Sequence, residues 1–174
     1  RSGLPDDAAS VLSRARATSR TTGQHLAVRR RLAEANHARG DLAGVIEATD
    51  GILDPTWTSL SNTALTDLTI GICHRADALA KSHRSVQKEL SWLQQLARHR
   101  TADLRARQFA CYTGIRRAVF VENRALIREF HAISEKSRTE EADSLAAMLV
   151  RLVYAAELGS VEDVLEANAQ LADV

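Results

Sequence analysis

The chain has 174 residues, of which 45% are hydrophobic and 26% charged, with a formal net charge of +1. That balance excludes a disordered chain, which lacks the apolar surface to collapse, and no apolar run approaches the roughly 18 residues that cross a bilayer. Two cysteines, Cys73 and Cys111, form no disulfide framework and point to a reducing, cytoplasmic setting.

The net charge conceals segregation. Residues 1–74 carry 8 basic and 8 acidic side chains, residues 75–138 carry 14 and 6, and residues 139–174 carry 1 and 8. A basic middle followed by an acidic end can steer a charged partner or pair copies head to tail, although solvated helix faces give the same counts. Lysine is scarce (Lys81, Lys88 and Lys136) beside abundant Ala, Leu and Arg, a bias similar to that of high-GC bacteria. The opening Arg1-Ser2-Gly3-Leu4-Pro5-Asp6-Asp7 has no signal-peptide pattern, and Met148 is the only methionine, so the chain reads as a piece of a longer protein.

Pro5, Asp6 and Asp7 open a first helix predicted over 5–19, with Ala8, Val11, Leu12 and Ala15 on its apolar stripe. Thr21-Thr22-Gly23 breaks it. A second helix is predicted over 24–38, and Gly40-Asp41 turns the chain into a third that ends near Leu53. Glycine suits the left-handed position at a helix end, and Asp caps the helix that follows. After the Asp54-Pro55-Thr56 break, helices are predicted over 59–82, 85–98, 102–119, 123–136, 140–157 and 161–172, with Ser85, Thr101 and Thr139 as cap candidates. Apolar residues recur at helical spacing, as in Val86, Leu90, Leu93 and Leu96, so the fold class is all-α with about nine helices.

Four stretches align with one another. Gly40-Asp41-Leu42 and Gly159-Ser160-Val161 are the clearest, and Arg84-Ser85-Val86 and Val121-Glu122-Asn123 share their spacing, giving steps of 44, 37 and 38 residues. Steps of that size mark stacked helix pairs, none of which buries its apolar face alone. The expected architecture is a right-handed α-solenoid of about four stacked helix pairs plus one leading helix, a single domain with units at 24–54, 59–98, 101–136 and 140–172.

Residues Leu32-Ala33-Glu34-Ala35-Asn36-His37-Ala38-Arg39-Gly40-Asp41-Leu42 resemble the centre of a tetratricopeptide repeat, and Leu158-Gly159-Ser160-Val161 is similar. The resemblance covers most of residues 24–174 and is specific at these two turns. Val45, Leu126 and Val164 stand where that family has a small residue, the middle copies lack the turn glycine, and the steps exceed the family's length of about 34. It implies divergent repeats whose first helices line a concave binding face. The Ala/Leu/Arg-rich array also resembles the helical-repeat sensor regions of large actinobacterial ATP-dependent (LuxR-type) transcriptional regulators. That likeness implies signal transduction, with an ATPase core and a DNA-binding helix-turn-helix elsewhere in a parent protein. Neither a Gly-x-x-x-x-Gly-Lys-Ser/Thr loop nor a separate helix-turn-helix occurs in this sequence.

Six histidines form no His-x-x-x-His, and the neighbours Cys73 and His74 diverge by about 100° on a helix, so neither metal nor cofactor is expected. Asp6-Asp7 and Glu140-Glu141 sit at predicted helix starts, where the helix dipole accounts for them. No ordered nucleophile motif exists, and the expectation is a non-catalytic module. His74 and Cys111 each lie ten residues before a repeat anchor, on equivalent places of neighbouring first helices. Arg30, His74, Cys111, Arg116 and Arg117 are the candidate binding residues for a protein or peptide partner or a small-molecule effector. Self-association through the solenoid ends is a further possibility. Nucleic-acid binding through the basic region 75–138 is the alternative, weakened by sparse aromatics: Phe109, Tyr112 and Phe120. Trp57 and Trp92 are expected in the core.

Overall fold

The computed structural model describes residues 3–18, 21–50, 52, 59–137 and 145–172. Among these are nine helices and no strand. They are α1 (Gly3–Thr18), α2 (Thr22–Ala38), α3 (Leu42–Thr49), α4 (Asn62–Lys81), α5 (Gln87–Arg98), α6 (Leu104–Phe120), α7 (Arg124–Ser137), α8 (Leu145–Leu158) and α9 (Val161–Ala172). Most ends fall within three residues of those read from the sequence; α3 stops earlier, at Thr49. The Asp54-Pro55-Thr56 break, Trp57, Thr139 and Glu140-Glu141 lie outside the described residues.

Side-chain caps set where several helices begin. Thr21 and Gln24 form a reciprocal capping box at α2. Asp41 accepts from Gly44 N at 2.8 Å at the start of α3, and Ser61 accepts from Ala64 N at 3.3 Å at the start of α4. At α6 the cap is Asp103 rather than Thr101: its carboxylate accepts from Arg105 N and Ala106 N. An ionised carboxylate is the stronger acceptor for exposed helix N–H groups. Ser160 and Asp163 close α9 reciprocally, and the Ser160 backbone N–H, then its hydroxyl, hold the Asp163 carboxyl below its ordinary range.

Three helix ends share one backbone motif. After α2, α4 and α6 the chain enters the left-handed region at Gly40 (φ 73°), His83 (φ 54°) and Glu122 (φ 53°). In each case the next N–H reaches back five residues at 2.9 Å: Asp41 to Asn36 O, Arg84 to Leu79 O and Asn123 to Ala118 O. This is the Schellman ending, which satisfies carbonyls left without helical donors. Three of the four aligned turns therefore share one geometry, made with glycine only in the first, whereas Gly159 of the fourth does not enter the left-handed region.

The chain divides into two compact units, residues 1–89 and 90–174, described separately. In the first, α2 packs against α1, α3 and α4, and α3 against α4. In the second, α6 packs against α7 and α8, α7 against α8, and α8 against α9. Both units thus repeat one rule: α2 and α6 each contact the next helix and the one after it.

Apolar stripes fill each core. Leu65, Leu68, Ile72, Ala76 and Leu79 form the buried stripe of α4, meeting Leu26, Leu32 and Ala33 of α2 and Val45 and Ile46 of α3 in the first unit's core. In the second unit Leu90, Leu93 and Leu96 are buried, as are Ala110, Ile115, Ile127, Phe130 and Val150. Each fully buried Leu or Ile contributes about 1.5–3 kcal/mol relative to exposure. The crossing of α6 and α7 is tight: a Cβ at Gly114 would overlap the buried Phe130 ring. Trp92 is half-buried.

Arg75 ties the first unit together. Its guanidinium pairs with Glu89 at 2.9 Å and Asp50 at 2.6 Å and donates to Ile46 O at 3.0 Å, at the C-terminal end of α3. Glu89 is buried, so this ion pair is the condition for its burial.

Candidate functional site

In the first unit a polar seam runs between α2 and α4. Arg30 donates to Asp67 on α4 and to Glu34 on its own helix, both at 2.6 Å. About two turns further along, His37 and His74 face each other with ring centroids 5.2 Å apart. Residues 30, 34 and 37 share one stripe of α2, and 67 and 74 share one stripe of α4. Burial holds the His74 imidazole below its ordinary value; His37 and Arg30 push the same way, while Glu34 and Asp77 oppose them.

The three consecutive arginines diverge, as their helical positions require. Arg29 donates to Ala48 O and Asp50 O at the end of α3, Arg30 enters the seam, and exposed Arg31 pairs with Glu34 at 3.1 Å. Arg30 and His74 are thus brought together on neighbouring helices, with His37 added, whose place facing His74 was not read from the sequence.

The second unit separates its three candidates. Arg116 is exposed, whereas Cys111 is fully buried and Arg117 is 8% exposed. Cys111 and Arg117 therefore sit in the core of α6 and not on an open binding face. Burial pushes the Cys111 thiol up to about 12, against the opposing charge of Arg107. At neutral pH it is protonated and a poor nucleophile.

The exposed and half-buried face of α6 is a different set. Arg105, Phe109, Tyr112, Arg116 and Phe120 fall within an arc of about 80° at 100° per residue, away from the buried Ala106, Ala110 and Ile115. The Arg116 guanidinium lies 5.3 Å from the centre of the Tyr112 ring, and Phe120 is 53% exposed. The spacings of four, three, four and four residues were available in the sequence as the signal for this stripe.

The second unit also holds cavities, two of them lined by several charged groups. One of about 570 Å³ is bounded by the ends of α5 and α7 and by Arg107 of α6. A smaller one of about 240 Å³ lies by His131 and Tyr154, whose rings stack at 3.9 Å, and Arg151, which donates to Glu135 and Gln170. Burial lowers the His131 pKa, Glu135 opposing and Arg151 reinforcing the shift. Among the described residues no three His, Cys, Asp or Glu side chains converge as metal ligands. No described helix is long and apolar enough to cross a membrane. Compared with protein-family models, curated proteins and solved structures, the chain matches none.

Proposed function

We propose that this chain is a non-catalytic module that binds a protein or peptide partner, or senses an effector, within a cytoplasmic signalling or transcription-regulating protein. Its helix pairs are read as a right-handed α-solenoid with α2, α4, α6 and α8 as first helices, divergently similar to tetratricopeptide repeats. Support comes from the packing rule within each unit, where α2 lies on α4 and α6 on α8. That arrangement presents first-helix surfaces side by side for recognition.

The observation that carries the reading is the open stripe of α6. Tyr, Phe and Arg are the side chains enriched at protein-interface hot spots, and here they share the arc of α6 that carries its exposed residues Arg105, Arg116 and Phe120. Arg116 and Arg105 give the stripe a positive edge suited to an acidic peptide or helix. Stacking on single-stranded nucleic acid fits less well. Arg116 already lies over the Tyr112 ring, and Phe109 is half-buried, which leaves Phe120 as the most open ring face.

The test is capture from an actinobacterial lysate with the full chain, at low and high salt, with and without nuclease. A protein retained through nuclease and moderate salt, and lost with Arg116→Ala/Phe120→Ala, would support the proposal. Recovery of nucleic acid alone, lost at high salt, would replace it with binding through the basic region 75–138.

A further inference from the structure

The cavity of about 570 Å³ in the second unit has a charge pattern that the α6 stripe does not explain. Arg98 ends α5 and Arg100 follows it, Arg107 comes from α6, and Glu129 and Lys136 come from α7. Glu129 is the one carboxylate among the described lining residues, and both of its oxygens are taken, one by Gln94 and one by Arg98. Arg100, Arg107 and Lys136 have no carboxylate partner among the described residues. Three cations therefore converge on a hollow whose own acid is already neutralised.

One of the three is fixed in place. Arg107 Nε donates to Ala97 O at 2.9 Å, and a terminal nitrogen donates to Ser137 Oγ at 3.1 Å. Ser137 in turn donates to Ile133 O at 2.7 Å. These bonds use two of the five N–H groups of the guanidinium and leave a rigid fork with donors to spare. Helix dipoles account for one cation in the last turn of α5 and of α7, Arg98 and Lys136. They do not account for the addition of Arg100 and Arg107 around an open volume.

We propose that this cavity binds a small organic molecule through a phosphate head group, held by Arg100, Arg107 and Lys136. A planar guanidinium fork matches phosphate oxygens two at a time, and a multiply charged head answers three unpaired cations better than a single carboxylate does. The volume falls within the roughly 300–1,000 Å³ of small-molecule sites, larger than an oxyanion alone needs. Ala132 and Ile133 supply apolar wall for the body of the ligand. The site shares no residue with the α6 stripe and stands whether or not that stripe docks a protein.

The experiment is calorimetric titration of the full chain, at low ionic strength in chloride buffer, with inorganic pyrophosphate and with citrate. Pyrophosphate is expected to bind more tightly than citrate, with an affinity that falls as sodium chloride is added. Arg100→Ala/Lys136→Ala should weaken it at least tenfold. Both side chains are exposed and without a partner among the described residues, so the fold should persist. Lys136→Glu, which reverses one charge, provides a second reading by the same titration, and Lys81→Ala, which removes an exposed cation of α4, should leave binding unchanged. Absence of binding, affinity unaltered in the Arg100 and Lys136 variants, or tighter binding of citrate would overturn the proposal.

Discussion

The left-handed helix endings at His83 and Glu122 lend themselves to a stability test that isolates backbone conformation. An L-residue in this region bears about 1–2 kcal/mol that glycine does not. Glycine loses about 0.4–1 kcal/mol through the greater freedom of its unfolded chain. The two side chains are exposed, with no hydrogen bond or ion pair among the described residues, so their removal forfeits no such contact. His83→Gly and Glu122→Gly should therefore each stabilise by about 0.5–1 kcal/mol. Gly40→Ala supplies the mirror experiment: a Cβ there meets nothing within 4 Å, so its cost is purely the φ of 73°. It should destabilise by a similar 0.5–1 kcal/mol. Urea unfolding followed by circular dichroism reads each change as a midpoint shift at constant slope. A destabilised His83→Gly, or a neutral Gly40→Ala, would refute the claim that the three turns share one strained geometry.

Other consequences follow from the core and the ion pairs. Arg75→Ala leaves Glu89 buried without its cation and should cost about 3–5 kcal/mol in the same assay, whereas Arg31→Ala, at an exposed pair, should cost under about 1 kcal/mol. Gly114→Ala forces the enclosed Phe130 ring aside and should cost about 3 kcal/mol, the upper end for overpacking, with Phe130→Leu in the same chain recovering part of it. Cys73 and Cys111 should resist a thiol-directed chromogenic reagent in the native state and react only as fast as the chain opens; immediate labelling of Cys111 would contradict its burial. His74 and His131 are both held neutral by burial, so the unfolded chain takes protons first as pH falls below about 6.5. Stability should decline from there until the folded imidazoles protonate too, and His74→Gln should flatten that decline in urea midpoints at pH 7.5, 6.5 and 5.5.

Helices and their turns were legible because they depend on residues close in sequence. Gly40-Asp41 announces a left-handed ending followed by a cap, and both are present. At the other two turns the aligned anchors, Arg84 and Val121, fall one residue after and one residue before the left-handed positions His83 and Glu122, which no glycine marks. The α2–α4 seam was also written in the sequence, in a register that the turns hide. Arg30 and Asp67 are 37 positions apart, and so are His37 and His74, while the left-handed residues at 40 and 83 are 43 apart. Helix α4 continues beyond the seam, so turn-to-turn counting misaligns the faces that touch.

The same counting explains the placement of Cys111 and Arg117. Both hold matching places in the register of the repeat, but a helix sorts side chains by angle. Position 112 points outward with 105, 109, 116 and 120, while 111 lies about 100° from 112 and 117 about 100° from 116, which turns both into the core. An arc test on α6 would have selected Tyr112 and Phe120 in their place. No such test reaches the anion cavity, whose lining spans residues 98 to 137 on three helices. Its charge is decided by which cation Glu129 neutralises. That choice is made by the approach of Arg98 and Gln94 to α7, a tertiary event 31 and 35 residues away in sequence.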